Sequence, residues 1–533
     1  MRSKDHPRRA GVSSFGFGGS NFHITLEEYV GPCEAPRYSS TDVSLFCLSG
    51  TSRALLTDAV RGVKTDSLVE GATLESLAAG TLASFRASDA ERLCFVASSM
   101  EELRRRLQDA ETFCRGDAQR LPGVHCGSGK MEGKVALLFP GQGSQFLEMG
   151  AALAMHFPEA LSAFDEADDL PLGDLRLSQV LFPTPVFSED ERASQRDVLT
   201  QTEWAQPALG ATSVAYLRVL RDRLGLVADA YAGHSFGELT ALHAAGAYDY
   251  GTLLRLARRR GELMAQAATL PGGMVAVSAN VERVRTALRD AQTEGVVVAN
   301  HNAPDQVVIS GESAALMHAV QFLTKTGLRN RPLPVATAFH SPLVAPAAAG
   351  LRQALEEVSF APLRAPVFAN ASARPYPDEP AAQAELLASQ LCGEVRFVDQ
   401  IEAMYAAGVR VFVEVGSGRV LTGLVSRILG DRSHDAVSLD GGTTGLNSFF
   451  DGVARLCAAG VPLALELLEG GFRSAPSPLS ATNTGVSTSV GGANVGKPQL
   501  PAPAPSRATA PSSVVAMPTP QPAPLALPSS RPT

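Results

Sequence analysis

The chain is 533 residues long, 45% hydrophobic, and carries a formal net charge of −8. That length accommodates two to four domains with large buried cores, and no Lys/Arg-rich run of the kind that tracks phosphates is present, which argues against a nucleic-acid partner. The seven cysteines, Cys33, Cys47, Cys94, Cys114, Cys126, Cys392 and Cys457, are scattered without a C-x-x-C pair, so no metal site is expected and a reducing, cytoplasmic setting fits. No stretch reaches the roughly eighteen uninterrupted apolar residues of a bilayer-spanning helix, and no membrane partner is expected.

In chain order, the charged N-terminus lacks the apolar core of a secretory signal. The glycines at 16, 18 and 19 do not make a nicotinamide-binding loop, because the strand-like run Phe22–Leu26 follows where a helix is needed. Residues 31–130 read as a small α/β domain. Its strands are the apolar runs Val43–Leu48 and Leu93–Ala97, and its helices lie near Arg53–Val63, near Leu74–Phe85 and from Glu101, where Ser99 and Glu102 suggest a capping box. It gathers no catalytic side chains and reads as a packing or spacer unit.

From Lys134, short apolar runs alternate with longer amphipathic stretches, which predicts a mostly parallel sheet covered by helices over residues 131–440. Within it, residues from about 270 to 335 stand apart. Strands at Met274–Ser278, Val296–Asn300, Gln306–Ser310 and Arg331–Val335 and helices at Val281–Glu294 and Glu312–Thr326 give the order β-α-β-β-α-β of a ferredoxin-like unit, inserted so as to wall a site on the main sheet. A helical segment at 441–473 follows. From Ser474 to Thr533 the chain is dominated by Pro, Ala, Ser, Thr and Gly, with Lys497, Arg507 and Arg531 its only charges. So few apolar side chains cannot offset the entropy of ordering a backbone, so a disordered tether is expected, and with it the expectation that the chain is a piece of a larger protein.

The strongest chemical signal is Gly233-His234-Ser235-Phe236-Gly237, between the mostly apolar Leu226–Ala232 and the helical run Glu238–Ala247. Strand, sharp turn and helix are what a nucleophile elbow requires, and the helix N-terminus favours the negative charge that develops in acyl transfer. A serine nucleophile needs a base. His340 stands at the return from the inserted unit, whereas His234, next to the serine, is assigned a structural role. A second turn, Phe139-Pro140-Gly141-Gln142-Gly143-Ser144-Gln145, follows the strand Val135–Phe139; its glycines suit an oxyanion hole or a phosphate cradle, although the Gly-Lys-Ser/Thr ending of a phosphate loop is absent.

These two motifs, with Arg260-Gly261-Glu262-Leu263-Met264, the run Asn302 to Gly311, Ala338-Phe339-His340 and Glu414-Val415-Gly416-Ser417-Gly418, stand in the order found in malonyl-CoA:acyl carrier protein transacylases and in acyltransferase domains of polyketide and fatty acid synthases. The chain resembles that family from about Lys134 to Leu429. The resemblance implies an α/β-hydrolase-like core with the ferredoxin-like insert. It implies a Ser235 nucleophile with His340 as general base, backbone N–H groups of Gln142 and Phe236 as oxyanion hole, Arg260 gripping the malonyl carboxylate, and the Gln390 main-chain carbonyl orienting the histidine. Phe339 resembles the form associated with malonyl rather than methylmalonyl. Thr337 departs from the His usual two residues earlier, and Phe236 from the smaller aliphatic residue common after the serine. No cofactor is expected to be bound: the coenzyme A thioester is substrate, and phosphopantetheine belongs to an acyl carrier protein partner. Residues 1–30, through Arg8 to His23, resemble the closing strands of a ketosynthase without its catalytic residues. With the Gly-Ser-Asn and Phe-Gly-Glu-Leu sequences they look most like polyunsaturated fatty acid synthases, so an adjacent ketosynthase is an expected partner. A serine hydrolase or thioesterase, and a catalytically idle docking module, stand as alternatives.

Overall fold

The computed structural model describes residues 7–15, 21–28, 41–117, 121–267, 271–335, 337–442 and 445–469. The expected tether at 474–533 and the glycines at 16, 18 and 19 lie outside these residues. The chain divides into two units. In the first, β1 (Arg9–Ser14) and β2 (Phe22–Glu27) form an antiparallel hairpin in which Val12 faces Ile24 and Arg9 faces Glu27; a strand therefore stands where a dinucleotide loop would need its helix.

The second unit begins with a three-stranded antiparallel sheet of β3 (Ser44–Gly50), β4 (Glu91–Ala97) and β5 (Val124–Ser128) in that order. Phe46 and Phe95 stack at 5.2 Å in its core, under helices Arg53–Asp66 and Met100–Arg115. The last of these helices starts differently from the expected box. The Ser99 hydroxyl does accept the Glu102 N–H at 3.1 Å, but the Glu102 carboxylate reaches back to the N–H and hydroxyl of Ser98, one residue earlier. The helix Asn447–Ala459 packs on all three strands of this sheet. Arg92, on β4, donates to Ala458 O at 3.0 Å, and His125, on β5, pairs with Asp451 at 2.7 Å.

The larger sheet is fully parallel. It contains β6 (Lys134–Phe139), β7 (Ala230–Gly233), β12 (Val367–Phe368), β13 (Val409–Glu414) and β14 (Asp435–Ser438) in the order β12-β7-β6-β13-β14. Its strands read as continuous apolar runs because both faces are covered: five of the six residues of β6 are buried. Helix Thr202–Arg218 is buried along nearly its whole length and packs against helices Gly237–Ala244 and Tyr250–Ala267.

Between β7 and β12 the chain forms a separate antiparallel sheet of β8 (Gly272–Val277), β9 (Val296–Ala303), β10 (Gln306–Glu312) and β11 (Asn330–Pro332), ordered β11-β8-β10-β9, with helices Val281–Asp290 and Ser313–Lys325 packed on it. The first of these helices ends at Asp290, short of the expected Glu294, because Gln292 takes a φ of 50° and Gly295 one of 81°, which turn the chain into β9. The sheet is tied to the segment before helix Phe397–Ala406: Val395 donates to Ala299 O at 2.8 Å and accepts the His301 N–H at 2.9 Å. Among the described residues no helix is long and apolar enough to cross a membrane.

Candidate active site

Parallel strands present their carboxyl ends on one edge, where ligands of open α/β sheets bind. The adjacent strands β6 and β7 end in the two glycine turns singled out from the sequence. The elbow after β7 is closed by contact. A Cβ on Gly233 would lie 2.0 Å from the Gly237 carbonyl carbon, and one on Gly237 would lie 2.0 Å from Phe139 O. Only glycine permits that crossing, and it leaves Ser235 at a φ of 50°, in the left-handed region.

The turn aims the Ser235 hydroxyl at His340, with Oγ 2.8 Å from Nε2. His340 Nδ1 lies 3.2 Å from Gln390 O and 3.1 Å from Gly393 O. Carbonyl oxygens only accept, so Nδ1 carries the proton and Nε2 is the free base facing the serine. The serine is half-buried and the histidine buried. Burial, reinforced by the Arg260 guanidinium, drives the imidazole pKa down to about 3, so the ring is neutral at physiological pH.

Arg260 is the third of three consecutive arginines, Arg258, Arg259 and Arg260, which the fold sends to different places. Arg258 stacks over Trp204 at 4.4 Å and pairs with Glu262 at 2.7 Å, and Arg259 is half-exposed. Arg260 alone turns inward and is 1% exposed. One of its N–H groups reaches Gln390 Oε1 at 3.4 Å, and its Nε has no hydrogen-bond partner among the described residues. Burial lowers its pKa to about 10, partly opposed by Glu238. A buried guanidinium with an unused donor is suited to a planar anion.

The backbone N–H groups of Gln142 and Phe236 are taken by no acceptor among the described residues, while their neighbours are engaged: His234 N–H on Phe139 O, Ser235 N–H on Asn370 Oδ1 and Gly143 N–H on Gln145 Oε1. Two unspent donors on adjoining turns can stabilise an oxyanion. Phe339 and Thr337 are both buried beside His340, and the Thr337 hydroxyl has no partner among the described residues. His234 bonds Asn302 Oδ1 on β9 at 2.8 Å, a tie between the elbow and the inserted sheet rather than a second base.

Sequence reasoning missed Gly393, Asn370, Glu238 and Tyr376. Gly393 supplies the second carbonyl on His340. Asn370 follows β12 and accepts the Ser235 N–H at 2.7 Å. Glu238, fully buried, accepts the Asn370 N–H at 2.9 Å and the Tyr376 hydroxyl. A polar residue two positions after a buried parallel strand was the available signal for Asn370. Among the described residues no group of three or more His, Cys, Asp or Glu could hold a metal ion.

A serine hydroxyl bonded to a neutral, carbonyl-oriented imidazole at a strand-turn-helix elbow is a nucleophile pair for acyl transfer. Residues 136–438 match the acyl transferase domain family, and the chain belongs to it. The chain is 38% identical over 302 residues to a malonyl CoA-acyl carrier protein transacylase of Bacillus subtilis, covering 55% of this chain and 90% of that protein. It is 32% identical over 466 residues to one of the polyunsaturated fatty acid synthase polypeptides of a Thraustochytrium species, covering 80% of this chain but only 16% of that polypeptide. The crystal structure of the acyltransferase domain of an iterative polyketide synthase of enediyne biosynthesis superimposes with a TM-score of 0.61 at 30% identity, covering 80% of this chain and 98% of that domain.

Proposed function

We propose that the chain transfers a malonyl group from malonyl-CoA, through an ester on Ser235, to the phosphopantetheine thiol of an acyl carrier protein. The observation that carries this reading is the 2.8 Å contact of Ser235 Oγ with His340 Nε2 beside the buried, unsaturated Arg260. Arg260 pairs with the free carboxylate of the malonyl group. His340 Nε2 takes the serine proton as Oγ attacks the thioester carbon, and the N–H groups of Gln142 and Phe236 hold the oxyanion. The C–S bond breaks and coenzyme A leaves with the proton from His340. In the second half-reaction the carrier thiol gives its proton to His340, its sulfur attacks the ester carbon, and the C–O bond breaks as Ser235 recovers its proton. The Gln390 carbonyl keeps the imidazole in the required tautomer, and the Phe339 ring crowds the C2 position of the acyl group.

The architecture supports an organisation of ketosynthase-like hairpin at 1–30, linker domain at 31–130, and acyltransferase domain at 131–440 with a ferredoxin-like insert. The strand order β11-β8-β10-β9 favours that insert, and the similarity to a polyunsaturated fatty acid synthase favours a multidomain context with a neighbouring ketosynthase.

Intact-mass measurement after addition of malonyl-CoA tests the reading. A gain of one malonyl group, absent in Ser235→Ala and discharged by a holo carrier protein, is expected. Release of free malonate without malonyl-carrier would establish a hydrolase instead, and an unlabelled Ser235 an idle module.

A further inference from the structure

Ser235 occupies the left-handed backbone region, which disfavours a non-glycine residue, and side chains hold it there from both sides. Its N–H donates to Asn370 Oδ1 at 2.7 Å, and its C=O accepts from Gln390 Nε2 at 2.8 Å. The two carboxamides also meet each other, Gln390 Nε2 lying 3.3 Å from Asn370 Oδ1. Asn370 Nδ2 donates to Gly233 O at 2.5 Å, so one side chain spans the elbow from the end of β7 to the nucleophile.

Asn370 is in turn fixed by a carboxyl group. Glu238, in the first turn of the helix behind the elbow, accepts the Asn370 main-chain N–H on Oε2 and the Tyr376 hydroxyl on Oε1. Tyr376 is anchored by its own backbone, with its N–H on Val367 O at 2.8 Å. Both oxygens of a fully buried carboxyl are thus spent on the turn 369–376. Burying such a group is expensive, and an apolar residue would fill the same space without that cost.

We propose that Glu238 is a positioning residue for acyl transfer: by fixing Asn370 from behind, it sets the orientation of the carboxamide that clamps the Ser235 peptide and so aims the nucleophile at His340. The inference rests on the acyl-transfer reading. Burial raises the Glu238 pKa to about 7; one carboxyl oxygen accepts the Asn370 N–H in either protonation state, and Gln at 238 keeps that contact through Oε1 while its Nε2 donates to the Tyr376 hydroxyl oxygen.

The test is single-turnover acylation of Ser235 by malonyl-CoA, read as the rate per labelled site and resolved into the saturating rate and the half-saturating concentration. At pH 6, where Glu238 is neutral, Asn370→Ala and Glu238→Ala are each expected to slow the saturating step roughly tenfold to a hundredfold at little-changed half-saturation. Glu238→Gln is expected to recover most of the rate, and the double alanine variant to be no slower than the worse single one. Wild-type rates per labelled site, additive losses, or a Glu238→Gln variant as slow as Glu238→Ala would overturn the proposal, since a merely structural carboxyl lowers the labelled fraction and not the rate at each site. If the alanine variants do not fold, Tyr376→Phe decides: a slower saturating step supports the proposal and the wild-type rate overturns it. A wild-type chain that never labels fails the acyl-transfer reading itself, whereas labelling with unaffected variants fails only the positioning role.

Discussion

Arg260 and Gln390 share one hydrogen bond, 3.4 Å from a guanidinium N–H to Oε1, and through it the buried guanidinium is joined to the Ser235–His340 pair. The Gln390 side-chain N–H holds Ser235 O, and its main-chain O orients His340. The guanidinium, the main chain of the elbow and the imidazole, far apart along the chain, converge on one residue.

Replacement of Arg260 by Ala is therefore expected to act on the acyl group more than on the Ser–His pair. Loss of a charge-assisted pair with the malonyl carboxylate costs about 1.5–3 kcal/mol, which corresponds to roughly a tenfold to hundredfold fall in malonyl loading. Acetyl loading survives or improves. Parallel loading assays with malonyl-CoA and acetyl-CoA check this, and equal losses for both would assign Arg260 to the fold alone.

The His340 imidazole, pushed down to about 3 by burial and by Arg260, stays a free base far below the ordinary histidine range. The saturating rate of Ser235 acylation should accordingly show no inflection near pH 6.5. The same shift affects stability. The unfolded chain binds a proton near pH 6.5 that the folded chain refuses until about pH 3, so the contribution is complete above 6.5 and is lost as pH falls through that window. Denaturant unfolding between pH 7 and 4 should show declining stability, with a smaller slope in His340→Gln.

The elbow was legible because its chemistry is local: glycines, a strand before and a helix after fix where Ser235 points. Arg260 could be named only through family likeness, since three consecutive arginines carry no internal sign of which is buried; Trp204 and Glu262 decide it by engaging Arg258. Asn370 and Tyr376 were not legible. Their roles arise from β12, only two residues long, docking in parallel beside β7, a contact that no periodicity announces. Glu238 lay inside a recognised motif, yet as the first polar residue of a helix it reads as an ordinary N-terminal acid until the fold buries it. Likewise, nothing near Asn447–Ala459 signals that this helix covers a sheet formed more than 300 residues earlier.

That docking yields a prediction about stability without chemistry. Arg92, 2% exposed, donates to Ala458 O at 3.0 Å, Asp89 O at 2.5 Å and Gly129 O at 2.8 Å. Arg92→Met strands these carbonyls at the junction of β4 with the helix Asn447–Ala459 and should cost roughly 2–5 kcal/mol. Thermal unfolding should shift downward, while the rate of Ser235 acylation well below the transition stays at the wild-type value, because no atom of Arg92 touches the elbow network.

Glu238 gives the last prediction. Buried against Tyr376, Tyr248 and Arg260, its carboxyl is pushed up to about 7, mainly by burial. Below that pH it is neutral, and Arg260 presents its full charge to an incoming carboxylate. Above it the ionised carboxylate offsets Arg260 and repels the malonyl group. The half-saturating concentration of malonyl-CoA should therefore rise as pH passes from 6 to 8, with acetyl-CoA, which carries no free carboxylate, little affected. Glu238→Gln cannot ionise and should flatten the malonyl profile. A malonyl profile that rises equally in the Gln variant would place the titrating group elsewhere.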